Sequence, residues 1–315
     1  MYSVKPIDLR RKYGALIEGL TEEQLGDAET RQRLRDLWVE HGLLVFRGET
    51  GASMHLTLSK VFGDLEHHPA REMCHADFPE IFLLKHDPQI DPWLYDVGGK
   101  VLGAWTPWHF DLAFVPYISR GALLRSVTLP KTGGDTAFVD GVEAYETLDP
   151  ALRAQIDGRE IIYKMEADFA KNRYVARASR ADVRMVRDNS YVKSMKQRQE
   201  RDYPAVLHPA VVEQAETGRK MLHVSPLMAT GIYGMTDEES NPILGALVDH
   251  VSSDALAYYH RWTSRDIVMW DNWRMMHLAT GVPDGETREM WRTTIAGDYN
   301  LGRLMPETVQ QRVSA

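Results

Sequence analysis

The chain has 315 residues, 43% hydrophobic and 26% charged, the balance of an ordinary globular protein. Lys+Arg number 37 against 45 Asp+Glu, and the net charge of −8 makes nucleic acid and anionic membrane poor partners. One cysteine (Cys74), no apolar run near the roughly 18 residues of a spanning helix, and an opening MYSVKPIDLRRKYGALIEGL without a charged-then-apolar layout point to a reducing, cytoplasmic home.

In chain order, Asp27 can cap a helix with Leu34, Leu37 and Trp38 on its apolar side and Gly42 as its stop. Leu43 to Phe46 reads as a short buried strand, and Met54, Leu58, Val61 and Phe62 recur at helical spacing before Gly63. Ile81 to Leu84 is strand-like. Residues 108–115 then alternate: Trp108, Phe110, Leu112 and Phe114 against His109, Asp111, Ala113 and Val115. Gly121 to Leu129 is another strand. Gly133-Gly134-Asp135 is a tight turn into Thr136 to Val139, Asp149-Pro150 opens a short helix that ends at Gly158, and Ile161 to Met165 is strand-like. Residues 171–201 carry ten Lys/Arg and three Asp/Glu, a local +7, and read as a basic, lid-like insertion spanning about 166–205 of one domain, 1–315. A solvated helix or loop is the plainer reading of that stretch. Asn241-Pro242 is expected to open a helix through His250, and strands return at 266–270 and 291–297. Early helices followed by many short strands suggest one α+β domain built on a barrel or sandwich.

On a strand, His109 and Asp111 would project to the same face. A second histidine from a distant strand completes a facial triad, which leaves metal positions open and suits non-haem Fe(II) oxygen chemistry. The segment Trp270-Asp271-Asn272-Trp273-Arg274-Met275-Met276-His277 supplies that histidine. A second His-x-Asp, His75-Ala76-Asp77, lies in an irregular stretch and reads as loop. Fifteen residues after His277 stands Arg292, preceded by Arg288. On an alternating strand Arg292 points opposite to Trp291, Thr293 and Ile295, and an inward arginine needs an anionic partner such as the carboxylate of a cosubstrate.

These segments, taken with HGLLVFRG at 41–48, FGDLEHHP at 62–69, WHFD at 108–111, GGDT at 133–136, HPAVVEQAETGRK at 208–220 and WRTTIAGD at 291–298, stand in one order. In that order the chain resembles the Fe(II)/2-oxoglutarate-dependent dioxygenases of the taurine and phenoxyacetate dioxygenase type over roughly residues 30–300. The resemblance implies an α+β fold with a double-stranded β-helix (jelly-roll) core and flanking helices. It implies His109, Asp111 and His277 as iron ligands. Arg292 would pair with the distal carboxylate of 2-oxoglutarate, Thr136 would support it, and Arg288 would be a second basic residue nearby. Fe(II) is then the cofactor and 2-oxoglutarate and O2 are cosubstrates. The sequence departs from the family where Trp273-Arg274 follows Asp271-Asn272, a position at which arginine usually comes first. That departure bears on what supports His277.

His68 stands where the taurine-type members contact an anion. With Arg71, Lys171 and Arg173 it leads to a small organic acid as the expected substrate, turned over to succinate, CO2 and an oxidised product. Trp105 and Trp108 either wall that substrate or pack as core. A hydrolase or isomerase on the same fold would need no clamp such as Arg292 and Thr136, and a non-catalytic binding protein would not need the complete triad. A homo-oligomer acting on a small molecule, without nucleic acid or membrane, is the expected context.

Overall fold

In the computed structural model, residues 2–67, 71–297 and 299–306 are described, and the chain is a mixed α/β fold of several sheets with seven α-helices among those residues. Seven strands position the site: β1 (Leu43–Arg47), β2 (Lys100–His109), β3 (Gly121–Thr128), β4 (Thr136–Asp140), β5 (Asp266–Asp271), β6 (Met275–Pro283) and β7 (Arg288–Ile295). Four helices matter here: α1 (Ala28–His41), α2 (Ala52–Phe62), α3 (Ser190–Asp202) and α4 (Asp237–Val251). The order β1-β5-β3-β7 runs through the larger sheet and β2-β6-β4 through a second one, all these neighbours being antiparallel.

Period two along each strand sorts the side chains into layers. Leu43, Val45, Leu124, Val268, Trp270 and Met290 of the larger sheet cluster with Phe138 of the second, and Phe138 and Trp270 meet at 5.8 Å between ring centres. The alternate residues Leu44, Phe46, Leu123, Ile267, Met269 and Ile295 instead meet Leu34, Leu37, Trp38, Leu58 and Phe62 of α1 and α2. Each such large side chain contributes about 1.5–3 kcal/mol when fully buried. Behind the second sheet Ala137, Val139 and Met276 join Leu244, Leu247 and Val248 of α4. Helix α1 begins and ends where the sequence signals it. The Thr30 N–H donates to Asp27 Oδ2 at 2.7 Å, and Gly42 takes φ +69°.

Three expectations are corrected. Strand β2 ends at His109, and Asp111 to Phe114 form a turn with Leu112 at φ +63°. The Asn272 side chain grips the backbone of Asp111 there and takes the place of a ladder partner. The helix expected from Asn241-Pro242 starts at Asp237, because Thr236 and Glu239 close a reciprocal capping box and Pro242 falls inside the helix. The basic stretch is folded rather than loose. It contains a short helix at Val175–Ser179, a strand at Val183–Arg187 paired with Leu94–Val97, and α3. Arg173, Arg177 and Arg180 pair with Asp237, Asp249 and Asp254 on or just after α4, so acids of the neighbouring helix offset much of its charge. No helix among the described residues is long and apolar enough to cross a membrane.

Candidate active site

His109 closes β2 and His277 lies on β6, and the two are paired across the sheet. Their rings lie 4.2 Å apart. The turn after His109 brings Asp111 back toward both: its Oδ1 is 3.5 Å from His109 Nε2 and 3.8 Å from His277 Nε2. One ligand atom from each of the three residues lies within 4.8 Å of the others, the compactness a single metal ion requires. Two features show that the set fits a metal. The His109 Nδ1 lies 2.8 Å from the Pro107 carbonyl, which fixes the proton on that nitrogen and leaves Nε2 as a lone pair aimed at the cluster. Burial, the His109 ring and the Arg292 charge push the His277 pKa down to about 3, so its imidazole is neutral. Asp111 is ionised. Burial alone would raise its pKa, but the Arg292 guanidinium holds it well below the usual carboxylate range.

The support around the cluster differs from what the sequence suggested. Asn272 accepts from the Asp111 N–H at 2.8 Å and donates to the Asp111 carbonyl at 3.1 Å, so one residue of the 270–277 segment fixes the carboxylate ligand. His277 is held by the rings of Trp270 and Phe138. Arg274 does not reach His277. It is buried and forms a two-pronged pair with Asp140 at 2.7 and 2.8 Å while bonding the Val39 and Glu40 carbonyls at the end of α1. Trp273 stacks on the buried His223.

The two arginines of β7 lie on one face of that strand. Arg288, Met290 and Arg292 alternate onto the face that Met290 presents to the space between the sheets. Arg292 Nη1 lies 3.3 Å from Asp111 Oδ2, beside the cluster, with its Nε unpartnered and Phe82 5.5 Å from the guanidinium carbon. Arg288 is four residues away, about 13 Å along an extended strand. Its Nε and Nη2 are buried without a partner among the described residues. Burial, weakly opposed by Asp135, pushes its pKa down to about 10. It remains a cation that lacks an anion. Its guanidinium lies against the turn leading into Thr136. A Cβ on Gly134 would stand 3.4 Å from Arg288 Nε and 2.8 Å from Pro130, and Gly134 has φ +75°, so only glycine fits. Ala279 pairs with Thr136 and His277 with Phe138, which puts Thr136 on the same inner face as His277, one pair further along.

The remaining candidates lie elsewhere. Trp105 is core, packed with Tyr95 and Phe169 on the far side of the second sheet, and Trp108 is buried in the same cluster. Arg173 binds Thr230, Asn241 and Asp237. Lys171 and Arg71 are exposed. His68 lies outside the described residues. The sequence missed Tyr203 at the end of α3, whose ring meets Phe114 at 5.0 Å, and Tyr191 on the same helix, whose hydroxyl burial pushes up in pKa. Both lie in the basic stretch, where nothing in the pattern singled out an aromatic.

Comparison with known proteins gives a consistent result. The sequence model of the family described as "Taurine catabolism dioxygenase TauD, TfdA family" matches residues 6–294. An (S)-phenoxypropionate/alpha-ketoglutarate-dioxygenase of Sphingobium herbicidovorans is 28% identical over 298 residues, covering 94% of this chain and 96% of that protein. An alpha-ketoglutarate-dependent 2,4-dichlorophenoxyacetate dioxygenase of Cupriavidus pinatubonensis is 28% identical over 287 residues, covering 88% and 91%. A crystal structure of a taurine dioxygenase from Burkholderia xenovorans superposes with a TM-score of 0.70 at 24% identity, covering 94% of this chain and 90% of the other.

Proposed function

The chain belongs to the TauD/TfdA family of 2-oxoglutarate-dependent dioxygenases, and from that premise we propose that it oxidises a small organic anion held by Arg292, with release of succinate and CO2. His109, Asp111 and His277 would hold Fe(II). Fe(II) bound there supplies the redox chemistry that couples decarboxylation of 2-oxoglutarate to oxidation of a substrate carbon by O2. The protein's own residues position and exclude. Asn272 fixes Asp111, Phe138 and Trp270 pack His277, and the apolar layer between the sheets keeps water from the reacting carbon. We assign the distal carboxylate of 2-oxoglutarate to Arg288 and Thr136 rather than to Arg292, because Arg288 is an enclosed cation without a partner among the described residues and lies beside the Gly134 turn. The two facing sheets are read as the halves of a double-stranded β-helix.

One observation carries the substrate class. Among the described residues Arg292 has a single ionic contact, with Asp111, keeps Nε unpartnered and sits directly beside the cluster. A substrate anion on Arg292 would place its neighbouring carbons against the metal position. The names of the relatives support this, since phenoxypropionate, 2,4-dichlorophenoxyacetate and taurine all carry an acid group next to a short carbon chain. We read the lid as narrower than the whole basic stretch. Helix α3 would be the part that closes over the substrate, since Tyr203 at its end meets Phe114 of the turn that carries Asp111, while residues 173–180 are tied to α4. The test is succinate release across a panel of small carboxylates, sulfonates, sulfates and phosphonates with Fe(II). Arg292→Leu should raise the KM of an active acid at least tenfold and leave the 2-oxoglutarate requirement within twofold. Arg288→Leu should do the reverse. Equal turnover of neutral and acidic panel members by the wild type would end the anion assignment.

A further inference from the structure

The loop between Tyr258–His260 and β5 carries Trp262, a residue to which neither the metal cluster nor the arginines assign a role. Its indole N–H donates to Thr136 Oγ1 at 3.0 Å. An indole nitrogen can only donate, so the Thr136 oxygen must accept on that side and its own proton must point elsewhere. Among the described residues no other hydrogen bond to Thr136 Oγ1 is found, and Thr136 is 3% exposed. The hydroxyl proton is therefore available on the inner face, on the side of the turn where Arg288 Nε and Nη2 also lie buried without a partner. The pocket presents donors and no acceptor from these groups, which suits a carboxylate.

The loop holds Trp262 from several directions. The His260 ring meets the indole edge-on at 4.6 Å. His260 pairs with Thr136 across the sheet and lies 3.3 Å from the buried Asp266. The Thr263 N–H donates to Asp266 at 2.8 Å, and Ser126 Oγ donates to the Thr263 carbonyl at 2.7 Å. Arg47 closes the set with a two-pronged pair to Asp266 at 2.7 and 3.0 Å. A tryptophan anchored on both flanks gives its N–H a fixed direction, as a positioned second layer requires.

We propose that Trp262 is a positioning residue for the cosubstrate: its N–H fixes the rotor of the Thr136 hydroxyl so that the hydroxyl donates to the distal carboxylate of 2-oxoglutarate. The proposal rests on the assignment of that carboxylate to Thr136 and Arg288. The experiment is calorimetric titration of 2-oxoglutarate into Fe(II)-loaded protein without O2, for wild type, Trp262→Phe, Thr136→Val and the double variant, with melting temperature and kcat at saturating 2-oxoglutarate recorded alongside. Trp262→Phe should weaken binding about fivefold, the size of one neutral hydrogen bond. It should leave kcat within twofold, and in the Thr136→Val background it should add less than 1.5-fold. Trp262→Leu, which also lacks the donor, serves if the phenylalanine variant does not fold. Unchanged binding in Thr136→Val would overturn the carboxylate assignment itself. Weaker binding in Thr136→Val with none in Trp262→Phe, or equal losses from Trp262→Phe in both backgrounds, would overturn the role of Trp262 and leave the assignment standing.

Discussion

Asp111 has contacts with two imidazoles and a guanidinium, and its backbone is gripped by Asn272. Asp111→Ala should remove Fe(II) binding and succinate formation together while the fold persists, as judged by circular dichroism and metal titration. Asn272→Ala is the sharper experiment. It leaves every ligand in place but frees the turn, so Fe(II) affinity should fall about 10–100-fold. Arg274 and Asp140 form a buried pair, each less than 4% exposed at the side chain. Arg274→Leu leaves Asp140 charged and unpaired, and urea unfolding should show a loss of about 3–5 kcal/mol. That His109, Asp111 and His277 come together was legible in the sequence, because residue type and order carry it. The turn at Asp111 was not, since Phe110, Leu112 and Phe114 continue the alternation of a strand past its end. What stopped the strand is a side chain 161 residues away.

Elements whose ends are set locally were legible. Helix α1 stops where Asp27 and Gly42 put it, and β1, β3 and β5 run within one residue of their apolar patterns. Two short strands, Ser3–Pro6 and Ala15–Glu18, left no such pattern, because Ser3–Pro6 is wholly exposed and Ala15–Glu18 is sheltered through its parallel pairing with β1. Helix α4 starts at Asp237, ahead of the Asn241-Pro242 signal, because the Thr236–Glu239 box caps it there and the helix tolerates Pro242 in its second turn. Thr236→Ala should cost about 1 kcal/mol of stability in denaturant melts. In the basic stretch, charge alone did not separate the ion-paired helix at 175–179 from α3. Their packing does, and it sets different exchange behaviour. Amides of Val175–Ser179 should be protected with or without substrate, whereas those of α3 should gain protection only when substrate is bound. Strong, equal protection of α3 in both states would remove it as a lid.

For the molecule as a whole, the His109, Asp111 and His277 cluster lies between two sheets that also meet through a layer of apolar side chains. Fe(II), or Mn(II) in its place, would be held by residues that only the folded chain brings together. At a hundred times its dissociation constant it should therefore add about 2.7 kcal/mol and raise the melting temperature by several degrees. Chelation should reverse the rise and stop turnover without unfolding the protein, a result that calorimetry with and without chelator would show.

The grip of Asn272 on Asp111 also bears on how the protein is made. His109 and Asp111 leave the ribosome long before the segment that aligns them, and Arg292 follows later still. A growing chain thus carries two of the three ligands without the residue that aims the carboxylate or the histidine that completes the set. The complete cluster exists only once nearly the whole chain has been made. In a half-made chain the cluster of His109, Asp111 and His277 therefore cannot yet form.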